Sequence, residues 1–134
     1  MSYDVNFKRK NKDEWIQLRE KHCISGHMYC EGGTTEAWIN ITTNFYDHFE
    51  KAFGCDKGLK LLHNKPIQEC VDLVAGAIKW MQKNRNGETL EPDEDAWKKT
   101  LGNAYQSLQK LYQLMQLVIT EYPDYDDIVA YVGY

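Results

Sequence analysis

The feature that most constrains this chain is a change of hydrophobic period near Asn44. Upstream, Tyr3, Val5 and Phe7 alternate with Asp4, Asn6 and Lys8, the pattern of a strand with one buried face. Downstream, apolar residues recur every three or four positions. Ile67, Cys70, Val71, Val74, Ile78 and Met81 form one stripe; Leu101, Ala104, Leu108, Leu111, Met115 and Val118 form another. The pattern predicts an α+β fold, in which a small N-terminal antiparallel β-sheet of hairpins packs against about four C-terminal helices. With 134 residues the chain is a single domain, β-rich over 1–43 and helical over 44–134.

Within the first part, Trp15 to Arg19 alternates again, with a short helix from Asp13 as the competing reading. Met28 to Glu31, Gly32-Gly33 and Glu36 to Thr43 read as a hairpin, because a tight turn needs the positive φ that glycine supplies. Trp38 to Phe53 is ambiguous, since Trp38, Ile41, Phe45, Phe49 and Ala52 also fit a helical stripe. The β-branched density of Ile39-Asn40-Ile41-Thr42-Thr43 favours a strand. The strand is therefore expected to end near Thr43, with Asn44 capping a helix that stops at Gly54. A short helix follows over about Asp56 to His63. The next starts behind Asn64 with Pro66 in its first turn and runs to about Lys83. The last reaches about Glu121, limited by Pro123. Asn84 to Asp95 is a polar connector.

Composition narrows the function. A net charge of −4 and a pI near 5.5 leave no basic excess to displace counterions from phosphates, which argues against general nucleic-acid binding. The basic run Lys8-Arg9-Lys10 with Lys12 reads as a solvated hairpin tip. Met1-Ser2-Tyr3-Asp4 leads into charge rather than an apolar signal segment, and no apolar run approaches the ~18 residues of a membrane span. A cytoplasmic setting is expected, with Cys23, Cys30, Cys55 and Cys70 as free thiols.

Few residues carry obvious chemistry. His22, Cys23, His27 and Cys30 gather zinc-type ligands, but not at the spacing of a Cys-x2-Cys knuckle and without a second paired half. In a strand, His27 and Cys30 would also face opposite ways. No metal site, cofactor or catalytic set is expected: nucleophile elbows, Walker loops and dinucleotide-binding glycine patterns are all missing. The acidic Glu91, Asp93, Glu94 and Asp95 fit a helix start, where the macrodipole favours negative charge. The segment around Trp38 differs in kind. As a strand it places Trp38, Asn40, Thr42 and Asn44 on one face, where an aromatic plate and amides that both donate and accept suit a base-like or sugar-like ligand. The bland alternative is a solvent-facing strand with one packed Trp. Thr100 and Asn103 form a second candidate: Gly102 and Asn103 are poor helix formers, so they mark a helix start, a close contact or an anion site.

These residues carry a resemblance. Ser2-Tyr3-Asp4, His22, Gly26, Tyr29 and Gly33, then Thr35 to Phe45 with its Thr-Glu-Ala-Trp-x-Asn-Ile-Thr-x-Asn pattern, resemble a family of small phage- and prophage-encoded proteins. Gly54, Asp56, Lys57 and Gly58, and later Thr100, Gly102, Asn103 and Ala104, extend the similarity over most of the chain. The chain departs from that pattern at Thr43, where the family commonly has Tyr, and after Pro123-Asp124. The resemblance implies a phage setting and supplies no activity. The expected function is that of a phage or prophage accessory protein acting by binding, either inhibiting a host or phage protein or sequestering a small nucleotide-like ligand. The expected ligand-binding residues are Trp38, Asn40, Thr42, Asn44, Thr100, Asn103 and His22. One alternative is a small enzyme or metal protein using His22 and the Asn/Thr face. Another is an interaction module whose contact is the Tyr-rich acidic segment from Tyr122 onward.

Overall fold

The first strand, β1 (Ser2–Arg9), is the centre of a three-stranded antiparallel sheet, flanked by β4 (Trp38–Thr42) and by β5 (Ile128–Gly133). These positions come from a computed structural model that describes residues 1–24 and 32–134. A second, two-stranded sheet pairs β2 (Gln17–His22) with β3 (Thr34–Glu36). Three α-helices follow among the described residues: α1 (Tyr46–Phe53), α2 (Ile67–Lys83) and α3 (Leu101–Glu121).

The alternation of β1 does what its pattern demands. Tyr3, Val5 and Phe7 are almost fully buried and join Ile39 and Ile41 of β4 and Ile128, Ala130 and Val132 of β5 on the inner face. The helices add Ile67, Cys70, Val74, Leu108, Leu111 and Met115 to the same continuous core. Both helical stripes read from the sequence face this core, except that Ala77 is buried where Ile78 is only partly so. Ile16 and Leu18 are buried and Trp15 exposed, as the second alternating stretch requires.

Several expectations need correction. Among the described residues Trp38–Thr42 pairs with β1, while Thr34–Glu36 pairs with β2, so Glu36 to Thr43 is not one continuous hairpin arm: the chain changes sheets at Ala37. The expected arm, Met28 to Glu31, lies outside the described residues. The helix start is capped by Thr42, whose hydroxyl accepts the Asn44 N–H, and Thr43–Phe45 is a 3₁₀ turn, so Asn44 is not the cap. The fourth helix is a 3₁₀ segment, Gly58–Leu62, confined between positive-φ residues at Gly54, Gly58 and Asn64 and too short for an α-helical ladder.

The largest correction concerns the C-terminal segment. Ile128–Gly133 is neither helical nor a free tail. It is a strand, paired with β1 along its length and held on its other edge by Asn64 N–H to Ala130 C=O and Ala130 N–H to Lys65 C=O. The N-terminal sheet is thus closed by the far end of the chain. Arg9, read as part of a solvated basic tip, bonds Asp124 and Asp127 and anchors the 3₁₀ turn that feeds β5. That contact lowers the Asp124 carboxyl below its ordinary range.

The cysteines divide. Cys55 and Cys70 are free thiols, and burial pushes Cys70 up to about 12. Cys23 is disulfide-bonded, contrary to the expectation of four free thiols. His27 and Cys30 lie outside the described residues. No helix is long and apolar enough to cross a membrane among the described residues.

Candidate functional site

Register separates the two sides of β4. Thr43 N–H donates to Met1 C=O, so the odd-numbered residues of β4 turn their peptide groups toward β1. Asn40 lies opposite Asp4 in a non-hydrogen-bonded pair, and its own N–H and C=O therefore point away from β1, to the edge of β4 that has no partner strand among the described residues. Its side chain stands on the outer face, away from the core.

That outer face is a structural polar cluster. Asp4 Oδ1 accepts from Trp38 Nε1 at 3.0 Å and from Asn40 Nδ2 at 2.9 Å, and Asn40 Nδ2 also donates to Ser2 Oγ at 2.7 Å. These bonds tie β4 to β1 and occupy the amide donors expected to meet a ligand. Asn40→Ala should lower the melting temperature by about 4 °C, the shift expected for roughly 1 kcal/mol in a chain of this size, and leave the backbone edge unchanged. A circular-dichroism melt checks this, and an unaltered midpoint would show the cluster to be dispensable.

The other predicted residues serve the connector before α3. Asn103 is 5% exposed and uses both ends of its amide: Oδ1 accepts the Asp93 N–H, and Nδ2 donates to the Asp95 and Lys98 carbonyls, each at 2.9 Å. Thr100 caps α3 by accepting the Asn103 N–H. Asn44 Nδ2 donates to the Trp97 carbonyl at 2.8 Å. The connector is therefore clamped at several points, which a solvated loop would not be.

Clamping it there opens a cleft of about 450 Å³ between β4, α3 and the connector. Ile39, Ile41 and Phe45 give it an apolar floor, Pro92 and Trp97 a rim, and Gln106, Ser107 and Lys110 a polar wall. Of the predicted residues, Asn40, Thr42 and Asn103 line it. Trp38, Asn44, Thr100 and His22 do not. His22 is a pin within the small sheet, with Nε2 2.6 Å from the Glu36 carbonyl and Nδ1 3.3 Å from the Ile24 N–H.

Sequence reasoning missed Trp97, Gln106, Ser107 and Lys110. A signal was present: Asn103, Gln106, Ser107 and Lys110 follow helical spacing and make a polar stripe beside the apolar one. Trp97 is 54% exposed, unusual for an indole, and Lys110 forms no ion pair among the described residues. The chemistry on offer is binding: an apolar slot, a backbone donor–acceptor pair, an aromatic plate and one unpaired cation. Comparison with protein-family models, curated proteins and solved structures finds no match for the chain.

Proposed function

We infer that this is a binding protein, of the phage or prophage accessory kind, that sequesters a small nucleotide-like ligand in the cleft between β4 and α3. The observation that carries this reading is the cleft, whose volume of about 450 Å³ lies in the range of small-molecule sites. The peptide of Asn40 offers one donor and one acceptor to the edge of a base, as an adjacent strand would. Trp97 supplies a stacking plate and Lys110 a counter-charge for a phosphate. An enzymatic reading through His22 has less support, because both of its ring nitrogens are engaged.

Titration calorimetry of the full chain with a panel of mononucleotides and cyclic dinucleotides tests the reading. At least one should bind, and Trp97→Ala should weaken it about tenfold or more, since stacking a base on an aromatic ring is worth ~1–3 kcal/mol. Lys110→Glu should weaken charged ligands and spare the corresponding nucleoside. If no member of the panel releases heat at millimolar concentration, the nucleotide reading fails and inhibition of a host or phage protein takes its place.

A further inference from the structure

At the β5 side of the sheet, across β1 from β4, the exposed rings are gathered rather than scattered. Trp15, Tyr131, Tyr46 and Tyr134 are 45%, 38%, 38% and 65% exposed. Trp15 and Tyr131 meet edge to face with ring centroids 5.5 Å apart, and His63 meets Tyr131 at 4.7 Å. From there a shallow hollow, shared by Tyr131, His63, Tyr134 and Tyr46, continues the strip past Lys57 and Lys60.

Cations are interleaved with these rings. Lys8 Nζ sits 5.4 Å from the Tyr131 ring centre and 5.7 Å from that of Trp15, and Lys60 Nζ sits 4.0 Å from that of Tyr134. His63 accepts the Val132 N–H at Nδ1, which fixes Nε2–H as the donor on its other side. Asp56 is the one carboxylate side chain that lines the hollow among the described residues. A protein with a net charge of −4 thus carries a locally basic, aromatic strip.

We propose that this strip binds a short single-stranded nucleic acid, with bases stacked on Trp15, Tyr131 and Tyr134 and the phosphodiester backbone held by Lys8, Lys57 and Lys60. A polyanion built of planar units complements alternating rings and ammonium groups, and stacking is indifferent to sequence because every base has a π-face. The net negative charge disfavours any nucleic acid, and only a single strand, whose bases are free to stack on the rings, offsets it at the strip. With about three lysines engaged, the slope of log K against log salt should be near −2, from −0.7 per phosphate on a single strand.

Fluorescence anisotropy of the full chain with labelled oligo-dT and oligo-rU of about eight nucleotides, at 50 mM and 200 mM salt, tests this. Binding is expected for both strands and for neither blunt duplex, with Trp15 emission quenched. Tyr131→Ala and Lys60→Glu should each weaken it about tenfold, while Leu117→Ala, on an exposed position of α3 outside the strip, should not. Circular-dichroism melts of each variant separate lost binding from lost fold. Absence of binding at 100 μM protein, or binding indifferent to both strip substitutions in folded variants, overturns the proposal. So does a dimer in sedimentation that Tyr131→Ala converts to monomer, which would make the strip a contact between copies.

Discussion

Removing Ile128 to Tyr134 should abolish cooperative folding rather than trim a surface tail. The segment hydrogen-bonds β1 over six residue pairs and fastens Asn64 and Lys65 on its other edge. It also buries Ile128 at 0%, Ala130 at 1% and Val132 at 3% exposure. Ile128 and Val132 alone contribute about 1.5–3 kcal/mol each through burial. Losing the strand also uncovers Val5 and Phe7 and leaves the edge of β1 unpaired. Such a sum reaches the ~5–15 kcal/mol by which a whole domain is stable. The truncated chain should therefore lack near-ultraviolet ellipticity and a sharp melt. A truncated protein that melts within a few degrees of the intact one would refute this account of the sheet.

The same strand marks where the sequence is legible and where it is not. Ile128 to Gly133 reads Ile-Val-Ala-Tyr-Val-Gly, a short β-branched apolar run without a clean period of two, since Val129 is apolar and buried like its neighbours. It is six residues long, follows a run of Tyr and Asp, and finds its partner at Ser2–Arg9, at the other end of the chain. Local pattern cannot announce pairing over such a distance. The long helices were legible because their stripes repeat over several turns, enough to average out single exceptions such as Ile78. The strand at Trp38–Thr42 was legible from stiff β-branched side chains, but its pairing with β1 was not, since that depends on which strand lies beside it.

The candidate site was half legible for a related reason. Asn40 and Asn103 stood out as residues that oppose local preference, and both do line the cleft. Their side chains, however, hold the protein's own backbone and carboxylate groups together: one ties two strands, the other clamps a connector. An asparagine that breaks a propensity rule is as good a structural clasp as a ligand group. Trp97 escaped notice because the acidic run ending at Asp95 reads as a helix start, which puts Trp97 beyond the connector, whereas α3 begins only at Leu101. Its setting emerges only once Asn44 and Asn103 bind that connector.

Gly102→Ala should be among the most damaging single substitutions in the chain, although it exchanges a poor helix former for the best one. Propensity alone predicts a gain of about 1 kcal/mol. Gly102, however, lies where the connector crosses the first turn of α3, and a Cβ there would stand 2.0 Å from the Glu91 carbonyl oxygen and 2.8 Å from its carbon. Both are backbone atoms, so no rotamer relieves the clash. The connector must move, and its movement stretches the bonds from Asn103 to Asp93, Asp95 and Lys98 and from Gln106 to the Leu90 carbonyl. Overpacking costs about 1–3 kcal/mol and each weakened hydrogen bond ~1 kcal/mol, so the net should be a loss of about 3 kcal/mol. The cleft should suffer with the fold, since its rim residues Pro92 and Trp97 ride on the displaced connector. Gly76→Ala supplies the contrast, because Gly76 lies on an exposed position of α2 with nothing within 4 Å of its would-be Cβ. That change should stabilise by about 0.5–1 kcal/mol, the ordinary propensity gain. Denaturant melts of the two variants should therefore shift in opposite directions, with Trp97 emission altered only in Gly102→Ala. Equal stabilisation by both would mean that the connector does not cross α3 at Gly102, and the cleft it bounds would have to be redrawn.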